Sequence, residues 1–164
     1  MFSERLLNLA RLIIDDAAQR RLKIATAESC TGGLLSALFV EIPGSSKVFE
    51  RGFVTYSNKA KEEMLGVPGD LVADYGAVSE PVARAMAEGA LEESRANISI
   101  AITGVAGPGG GTRLKPVGTV HFAMARENAP IRHRLEQYGD IGRSEVRLSS
   151  VETALMMLQE SLSS

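Results

Sequence analysis

The chain has 164 residues, of which 45% are hydrophobic and 23% charged, which is typical of one globular domain. Its 18 basic and 20 acidic side chains leave a formal net charge of −2. The densest basic stretch, 132–134, is only three residues long. Because broad electrostatic binding to nucleic acid requires clustered Lys and Arg, the composition excludes that function class, and we expect no direct nucleic-acid partner.

A single cysteine, Cys30, excludes an internal disulfide and is typical of a reducing compartment. The first residues include Glu4 and continue into an amphipathic segment, whereas a signal peptide begins basic and turns apolar. No apolar run approaches the roughly 20 residues that a membrane span requires. We therefore expect a cytoplasmic protein without membrane contact.

Hydrophobic spacing and turn residues predict most elements of the chain. In the first part these are a helix over 3–19, a strand over 22–27, a helix over 34–40, a turn at 43–46, a strand over 48–56 and a short helix from Ser57-Asn58 to Gly66. In the second part they are a helix opening at Ser79-Glu80-Pro81, a strand over 98–102, hairpin strands over 117–125 and 131–138, and a final helix over 144–160.

Helices and strands alternate through the first two thirds of the chain, and a hairpin follows. This order predicts one domain over residues 1–164, an α/β fold built as a three-layer α/β/α sandwich. Its sheet is expected to be mixed and mostly parallel, with a late antiparallel hairpin. Ligands of open α/β sheets bind beyond the carboxyl ends of the strands. We therefore expect the strand-end segments 28–33, 55–61 and 103–111 to converge on a site.

Ser29 lies in the first of these segments, at a strand-to-helix turn. A hydroxyl there is held away from the sheet, and the free N–H groups of the helix point towards it. This makes Ser29 a candidate nucleophile and the amides near 31–33 candidate donors to an oxyanion or a phosphate. The alternative is that Ser29 or Thr31 simply caps the helix, which this segment alone favours because Ser and Thr are preferred N-cap residues.

A serine nucleophile needs a base. His121 and His133 both fall in the hairpin and alternate with apolar residues, which fits strand-face positions better than catalysis. Lys61 is the remaining candidate, since partial burial favours the neutral form of a lysine. Tyr56 is placed to relay a proton or to orient that lysine. Lys59 lies on the same segment, and its spacing does not exclude it; an exposed helix lysine is the plainer alternative for either position.

The loop 103–111 contains five glycines in nine residues, which lets its backbone approach a ligand closely. It carries neither a Walker sequence nor a dinucleotide fingerprint, so a flexible connection is an equal alternative. One cysteine and two separated histidines give no metal-ligand spacing, and we expect no metal. A helix N-terminus would stabilise a Cys30 thiolate, although a structural role fits that residue better.

Taken together, six ordered blocks resemble the CinA C-terminal domain family, and the similarity runs from about residue 3 to the C-terminus. The blocks are Ala27-Glu28-Ser29-Cys30-Thr31-Gly32-Gly33, Pro43-Gly44-Ser45-Ser46, Gly52-Phe53-Val54-Thr55-Tyr56-Ser57-Asn58 with Ala60-Lys61, Gly76-Ala77-Val78-Ser79-Glu80, Thr103-Gly104-Val105-Ala106-Gly107-Pro108-Gly109-Gly110, and Lys115-Pro116-Val117-Gly118-Thr119-Val120. The resemblance implies a mixed-sheet α/β/α fold and nicotinamide-nucleotide amidase activity. That reaction converts nicotinamide mononucleotide to nicotinic acid mononucleotide and ammonia, in pyridine nucleotide salvage.

The resemblance also implies a catalytic Ser, Lys and Tyr, which fall on Ser29, Lys61 and Tyr56. The substrate contacts expected with them are Thr31, Gly32, Gly33, Asn58, Thr103, Gly104 and Gly107. No metal or organic cofactor is implied. The expected partner is a small nucleotide substrate, and a homodimer is an open expectation.

Two departures from the family pattern matter. Many members carry this domain behind a molybdopterin-binding-like domain, which this chain does not show, so we expect no pyrophosphatase activity from it. The family often has Pro-Gly-Asp-Arg near the last helix, where this chain reads Gly139-Asp140-Ile141-Gly142-Arg143, so either Arg143 or Arg147 takes the equivalent position.

The alternatives to an amidase are a nucleotide-binding regulatory module linked to competence or DNA damage, and a serine esterase of other specificity.

Overall fold

The computed structural model describes residues 1–163, which form six helices and five strands with a short 3-10 turn at Ser45–Lys47. The helices are α1 (Glu4–Gln19), α2 (Leu34–Glu41), α3 (Asn58–Leu65), α4 (Gly69–Tyr75), α5 (Glu80–Glu92) and α6 (Arg143–Ser163). The strands are β1 (Ile24–Glu28), β2 (Phe49–Val54), β3 (Ile98–Gly104), β4 (Thr119–Arg126) and β5 (Arg132–Gln137). None of these helices is apolar over enough of its length to cross a membrane.

The five strands form one mixed sheet in the order β2-β1-β3-β4-β5. The β1 strand pairs in parallel with β2 and β3, and the two pairings that involve β4 are antiparallel. Glu28 stands opposite Val54 on one side and Ile102 on the other. The three parallel strands therefore end at the same edge, which brings the chain segments that follow them together, as the sequence predicts.

Helices cover both faces of the sheet, which confirms the three-layer sandwich. The larger apolar cluster lies under α1, α2 and α6. The opposite face carries small strand residues, Ala27, Ala101 and Ala123, and α5 packs against them. Close-packed interiors leave few voids, so small residues on the sheet let the α5 axis lie near it.

Serine hydroxyls define two helix starts near the site. The Ser57 side chain accepts the Ala60 amide at the start of α3, and Ser79 accepts the Val82 amide at the start of α5. Both starts are predicted from the sequence and confirmed. The α4 helix was not predicted, because its seven residues bury no side chain and leave no apolar periodicity to detect.

Gly89 lets α5 pack directly against the end of α3. A Cβ atom at this position would lie 1.9 Å from the carbonyl oxygen of Leu65. No side chain fits in that space, so the two helix backbones are in contact. Since α3 carries Lys61, this packing helps to set where that lysine lies.

We expect Gly89→Ala to lower the free energy of unfolding by about 1–3 kcal/mol, the usual cost of overpacking. Alanine is intrinsically the better helix former by about 1 kcal/mol, so the loss would be a steric effect. The measurement is urea unfolding followed by circular dichroism. Gly69→Ala, where the nearest atom to the new Cβ is 3.6 Å away on Glu62, is the control and should be neutral or slightly stabilising. A Gly89→Ala protein as stable as the wild type contradicts the packing account.

Candidate active site

Glu28, the last residue of β1, anchors the turn that leads into α2. Its carboxylate is fully buried and accepts the amides of Leu35 at 2.9 Å and Ser36 at 3.0 Å. The N-cap position, Gly33, has no side chain to do this. A carboxylate suits a helix N-terminus, where the free amides leave partial positive charge. Glu28 therefore caps α2, which leaves these two amides unavailable to a ligand.

Ser29 is the first residue of the turn and does not cap the helix. Its amide donates to the Ile102 carbonyl at 3.0 Å, and its carbonyl accepts the Gly32 amide at 3.1 Å. Gly32 adopts a φ of 58°, a left-handed conformation that glycine takes at little cost. Ser29 is 7% exposed, and its Oγ lies 2.8 Å from Nζ of Lys61.

Lys61, on α3, is 1% exposed. Its Nζ lies 2.8 Å from the Thr55 carbonyl and 3.2 Å from the Tyr56 carbonyl, besides the contact with Ser29. No salt bridge within residues 1–163 involves Lys61. Burial without a carboxylate disfavours the charged form, and it lowers the pKa of Lys61 from 10.5 to about 8.

The three contacts of Lys61 can be made by an ammonium, which has three N–H donors, and also by a neutral amine. Such a nitrogen has two N–H donors and one lone pair, and the two carbonyls can only accept. In the neutral state the donors go to Thr55 and Tyr56, and the lone pair remains for the hydroxyl of Ser29, whereas in the charged state the third N–H donates to Ser29 Oγ. In the neutral state Lys61 is arranged to receive the serine proton, as a general base must be.

The Ser29–Lys61 pair opens into a cavity of about 320 Å³ at the carboxyl edge of the parallel strands. Its wall includes segment 77–78, which joins α4 to α5, and glycines of the loop 103–111. Of the catalytic and substrate-contact residues predicted from the sequence, those that line the cavity are Ser29, Tyr56, Asn58, Lys61, Thr103, Gly104 and Gly107. Thr31 is fully buried, and Gly32 and Gly33 belong to the turn behind Ser29, so substrate contact by these three residues stays a prediction.

Cys30 lies beside Ser29 in the cavity wall. Burial raises the pKa of its thiol to about 11, so the thiol is protonated at neutral pH. A thiol is a weak nucleophile in that state. Ser29, by contrast, is in hydrogen-bond contact with Lys61, and this contact favours the serine as the reactive group.

Tyr56 contributes to the site at two different atoms. Its carbonyl oxygen accepts from Lys61, whereas its phenol, on a side chain that is 63% exposed, lies 3.3 Å from Nη2 of Arg143. A proton relay through the phenol stays a prediction. Lys59 is exposed, and its Nζ lies 4.0 Å from Oε1 of Glu63. Sequence spacing alone does not distinguish Lys59 from Lys61 as the candidate base, but burial does, because only Lys61 is buried.

Arg143 and Arg147 occupy different places, although both are near the start of α6. Arg143 donates to the Gly107 carbonyl at 2.7 Å and lines the cavity. Arg147 instead donates to the Cys30 and Thr31 carbonyls. Arg143 is thus the guanidinium available to a ligand in the cavity.

The two histidines form a separate pair on the hairpin. Nδ1 of His121 lies 2.9 Å from Nε2 of His133, and Nδ1 of His133 lies 3.5 Å from Glu80. Burial lowers the pKa of His121 to about 4. The pair connects β4 and β5 to α5, as expected for strand-face residues. Within residues 1–163, no three His, Cys, Asp or Glu side chains form a group that could hold a metal ion.

The family model described as the CinA C-terminal domain matches residues 6–162. The chain belongs to this family. It is 53% identical over 131 residues to a CinA-like protein of Akkermansia muciniphila, covering 80% of this chain and 32% of that protein. With a CinA-like protein of Anaeromyxobacter sp., 46% identity extends over 99% of this chain and 39% of the relative. The chain thus spans about a third of the length of these curated relatives.

Solved structures of the family have the same fold. The competence/damage inducible protein CihA of Agrobacterium tumefaciens superposes with a TM-score of 0.97 at 51% identity, over 100% of this chain and 99% of that one. A CinA superfamily protein of Escherichia coli superposes with a TM-score of 0.90 at 34% identity, over 98% and 93% of the two chains. These likenesses confirm the family and the α/β fold.

We expect Glu28→Gln to lower the free energy of unfolding by about 1–3 kcal/mol, because buried hydrogen bonds to a charged group are lost or weakened. Chemical denaturation measures this change. Glu41→Gln at the exposed end of the same helix is the matched control, and it should be neutral or slightly stabilising, since a carboxylate is unfavourable at a helix C-terminus. Equal stability of the Glu28→Gln and wild-type proteins contradicts the capping role.

Proposed function

We propose that this member of the CinA C-terminal domain family is a nicotinamide-nucleotide amidase, which hydrolyses nicotinamide mononucleotide to nicotinic acid mononucleotide and ammonia. The observation that carries the proposal is the buried contact of 2.8 Å between Lys61 Nζ and Ser29 Oγ, at the wall of a cavity. A serine paired with a lysine base is a known variant of the catalytic triad for acyl transfer. An amide bond is a substrate that such a pair can cleave.

In the proposed mechanism, neutral Lys61 takes the hydroxyl proton as Ser29 Oγ attacks the carboxamide carbon. The tetrahedral intermediate then collapses, the proton passes from Lys61 to the leaving nitrogen, and ammonia departs from an acyl-enzyme ester. Lys61 next deprotonates a water molecule, which attacks the ester and releases the carboxylic acid and Ser29. Protonated Lys61 cannot begin this cycle, so acylation slows as the pH falls below the lysine's pKa of about 8.

The cavity offers distinct surroundings for the parts of a nucleotide. Its volume of about 320 Å³ is at the lower end of the usual range for small-molecule sites. Ala77 and Val78 give one wall apolar surface suited to an aromatic ring. Arg143 and the glycine-rich loop also line the cavity, and a guanidinium with nearby backbone amides suits a phosphate. A cytoplasmic location, which the single cysteine favours, suits such a substrate.

A nucleotide-binding regulatory module is the second candidate. It is favoured by the names of relatives, such as the putative competence-damage inducible protein of Symbiobacterium thermophilum. In that case the same cavity would hold a nucleotide without turnover. Ammonia release separates the two functions, because binding alone produces none.

We expect the wild-type protein to release ammonia from nicotinamide mononucleotide, measured with a coupled glutamate dehydrogenase assay. Ser29→Ala and Lys61→Arg should each lower kcat by about 10³-fold or more, the scale found when a member of a catalytic set is removed. Arginine keeps the positive charge of position 61 but stays protonated, so it cannot accept the serine proton.

Two neighbouring substitutions are the controls for these variants. Cys30→Ala changes the adjacent residue in the cavity wall, and Lys59→Arg changes the exposed lysine of the same helix; both should keep most of the activity. Wild-type protein that binds the nucleotide yet yields no ammonia favours the regulatory module. Near-normal turnover by Lys61→Arg rules out Lys61 as the base.

A further inference from the structure

Arg147 connects α6 to the turn that carries Ser29. Its Nε donates to the Cys30 carbonyl at 3.1 Å, and its Nη2 donates to the Thr31 carbonyl at 3.0 Å. The side chain is half-buried, whereas Arg143, one helical turn earlier, is exposed at the cavity. Two successive peptide groups after Ser29 are therefore held by one planar guanidinium.

When Arg147 holds these two carbonyls, it also fixes the N–H groups that belong to the same peptide groups. A peptide group is planar, and in the trans form its N–H points away from its C=O. The Thr31 carbonyl and the Gly32 amide belong to one such group, and that amide donates to the Ser29 carbonyl at 3.1 Å. Arg147 and the backbone of Ser29 thus hold the same peptide group from its two ends. The guanidinium constrains the nucleophile through the turn without touching its side chain.

The charge of Arg147 has no carboxylate partner in an ion pair within residues 1–163. Its guanidinium donates instead to the carbonyls of the turn. A Cβ on Gly32 would lie 3.6 Å from Nη2 of Arg147, so the guanidinium packs against this glycine. Hydrogen bonds from a cation also polarise peptide groups, which makes their amides better donors.

We infer that Arg147 is a positioning residue for the reaction, which keeps Ser29 Oγ in hydrogen-bond contact with Lys61 and orients the peptide groups of the turn. This inference rests on the proposed amidase function and deepens it. The two arginines of α6 then have separate tasks. Arg143 contacts the ligand, and Arg147 holds the nucleophile in place.

The kinetic test compares Arg147→Met with Arg143→Met in ammonia release. We expect Arg147→Met to lower kcat by about 10²-fold, the scale of a small misplacement of reacting groups, with KM within about twofold of the wild type. Arg143→Met should instead raise KM and change kcat less. Arg147→Lys should fall between the wild type and Arg147→Met, because an ammonium lacks the planar fork that reaches both carbonyls.

A second measurement does not depend on the nucleotide. Diisopropyl fluorophosphate is small and uncharged, and its phosphorus reacts with an activated serine hydroxyl with loss of fluoride. We expect Arg147→Met to slow the labelling of Ser29, followed by intact-protein mass, by a factor similar to its loss in kcat. Lys59→Met, at the exposed lysine of α3, is the control and should label at nearly the wild-type rate. Millimolar methylguanidinium should restore part of the labelling of Arg147→Ala, which a general loss of stability would not allow.

The outcomes test the positioning role of Arg147 and the amidase function separately. Labelling of Arg147→Met at the wild-type rate overturns the positioning role, even if ammonia release by the wild type supports the amidase. Labelling that depends on Arg147 in a protein that releases no ammonia supports the positioning role and rejects the amidase. If Arg147→Met does not fold, Arg147→Lys decides, and a wild-type rate in that variant overturns the inference. A wild-type Ser29 that neither labels nor turns over the nucleotide contradicts both claims.

Discussion

The nitrogen of Lys61 is enclosed by three oxygen atoms, and no carboxylate forms an ion pair with it within residues 1–163. A buried unpaired charge is costly, so this lysine gives up its proton more easily than an exposed one. The two carbonyl acceptors then determine where the lone pair points, which is at Ser29. The chemistry proposed for the site depends on that direction.

The fold explains why these groups meet. Because β1 lies between two parallel neighbours, the chain leaves the sheet three times at one edge, and each exit supplies part of the cavity. The Glu28 carboxylate holds the start of α2, which follows the Ser29 turn, and the Arg147 guanidinium holds two carbonyls within the turn. The backbone contact at Gly89 fixes the helix that carries Lys61. The nucleophile and its proposed base are thus held by different elements that do not depend on a ligand.

Local signals were enough to predict most of the fold. Apolar periodicity identified the long helices, and Ser57 and Ser79 marked helix starts because a capping hydroxyl acts on neighbouring residues. Burial and contacts between residues distant in the sequence could not be predicted from such local signals. Lys59 and Lys61 have similar sequence surroundings, and only burial separates them. Glu28 caps α2 from the end of a strand, outside the usual N-cap position; the absence of a side chain at Gly33 was the available clue. Arg143 and Arg147 are four residues apart on one helix, so only the three-dimensional structure separates their contacts.

The most direct test of this account is the titration of Lys61 itself in the free protein. In a sample with carbon-13 at the lysine Cε, the Lys61 signal is assigned by its absence in Lys61→Met, and its chemical shift is followed by NMR against pH. The account predicts a midpoint near 8, as burial lowers the pKa from 10.5. A Lys61 midpoint at 10.5 or above would contradict it, because the neutral fraction that can accept the proton of Ser29 at pH 7 would then be roughly 300-fold smaller than with a midpoint near 8.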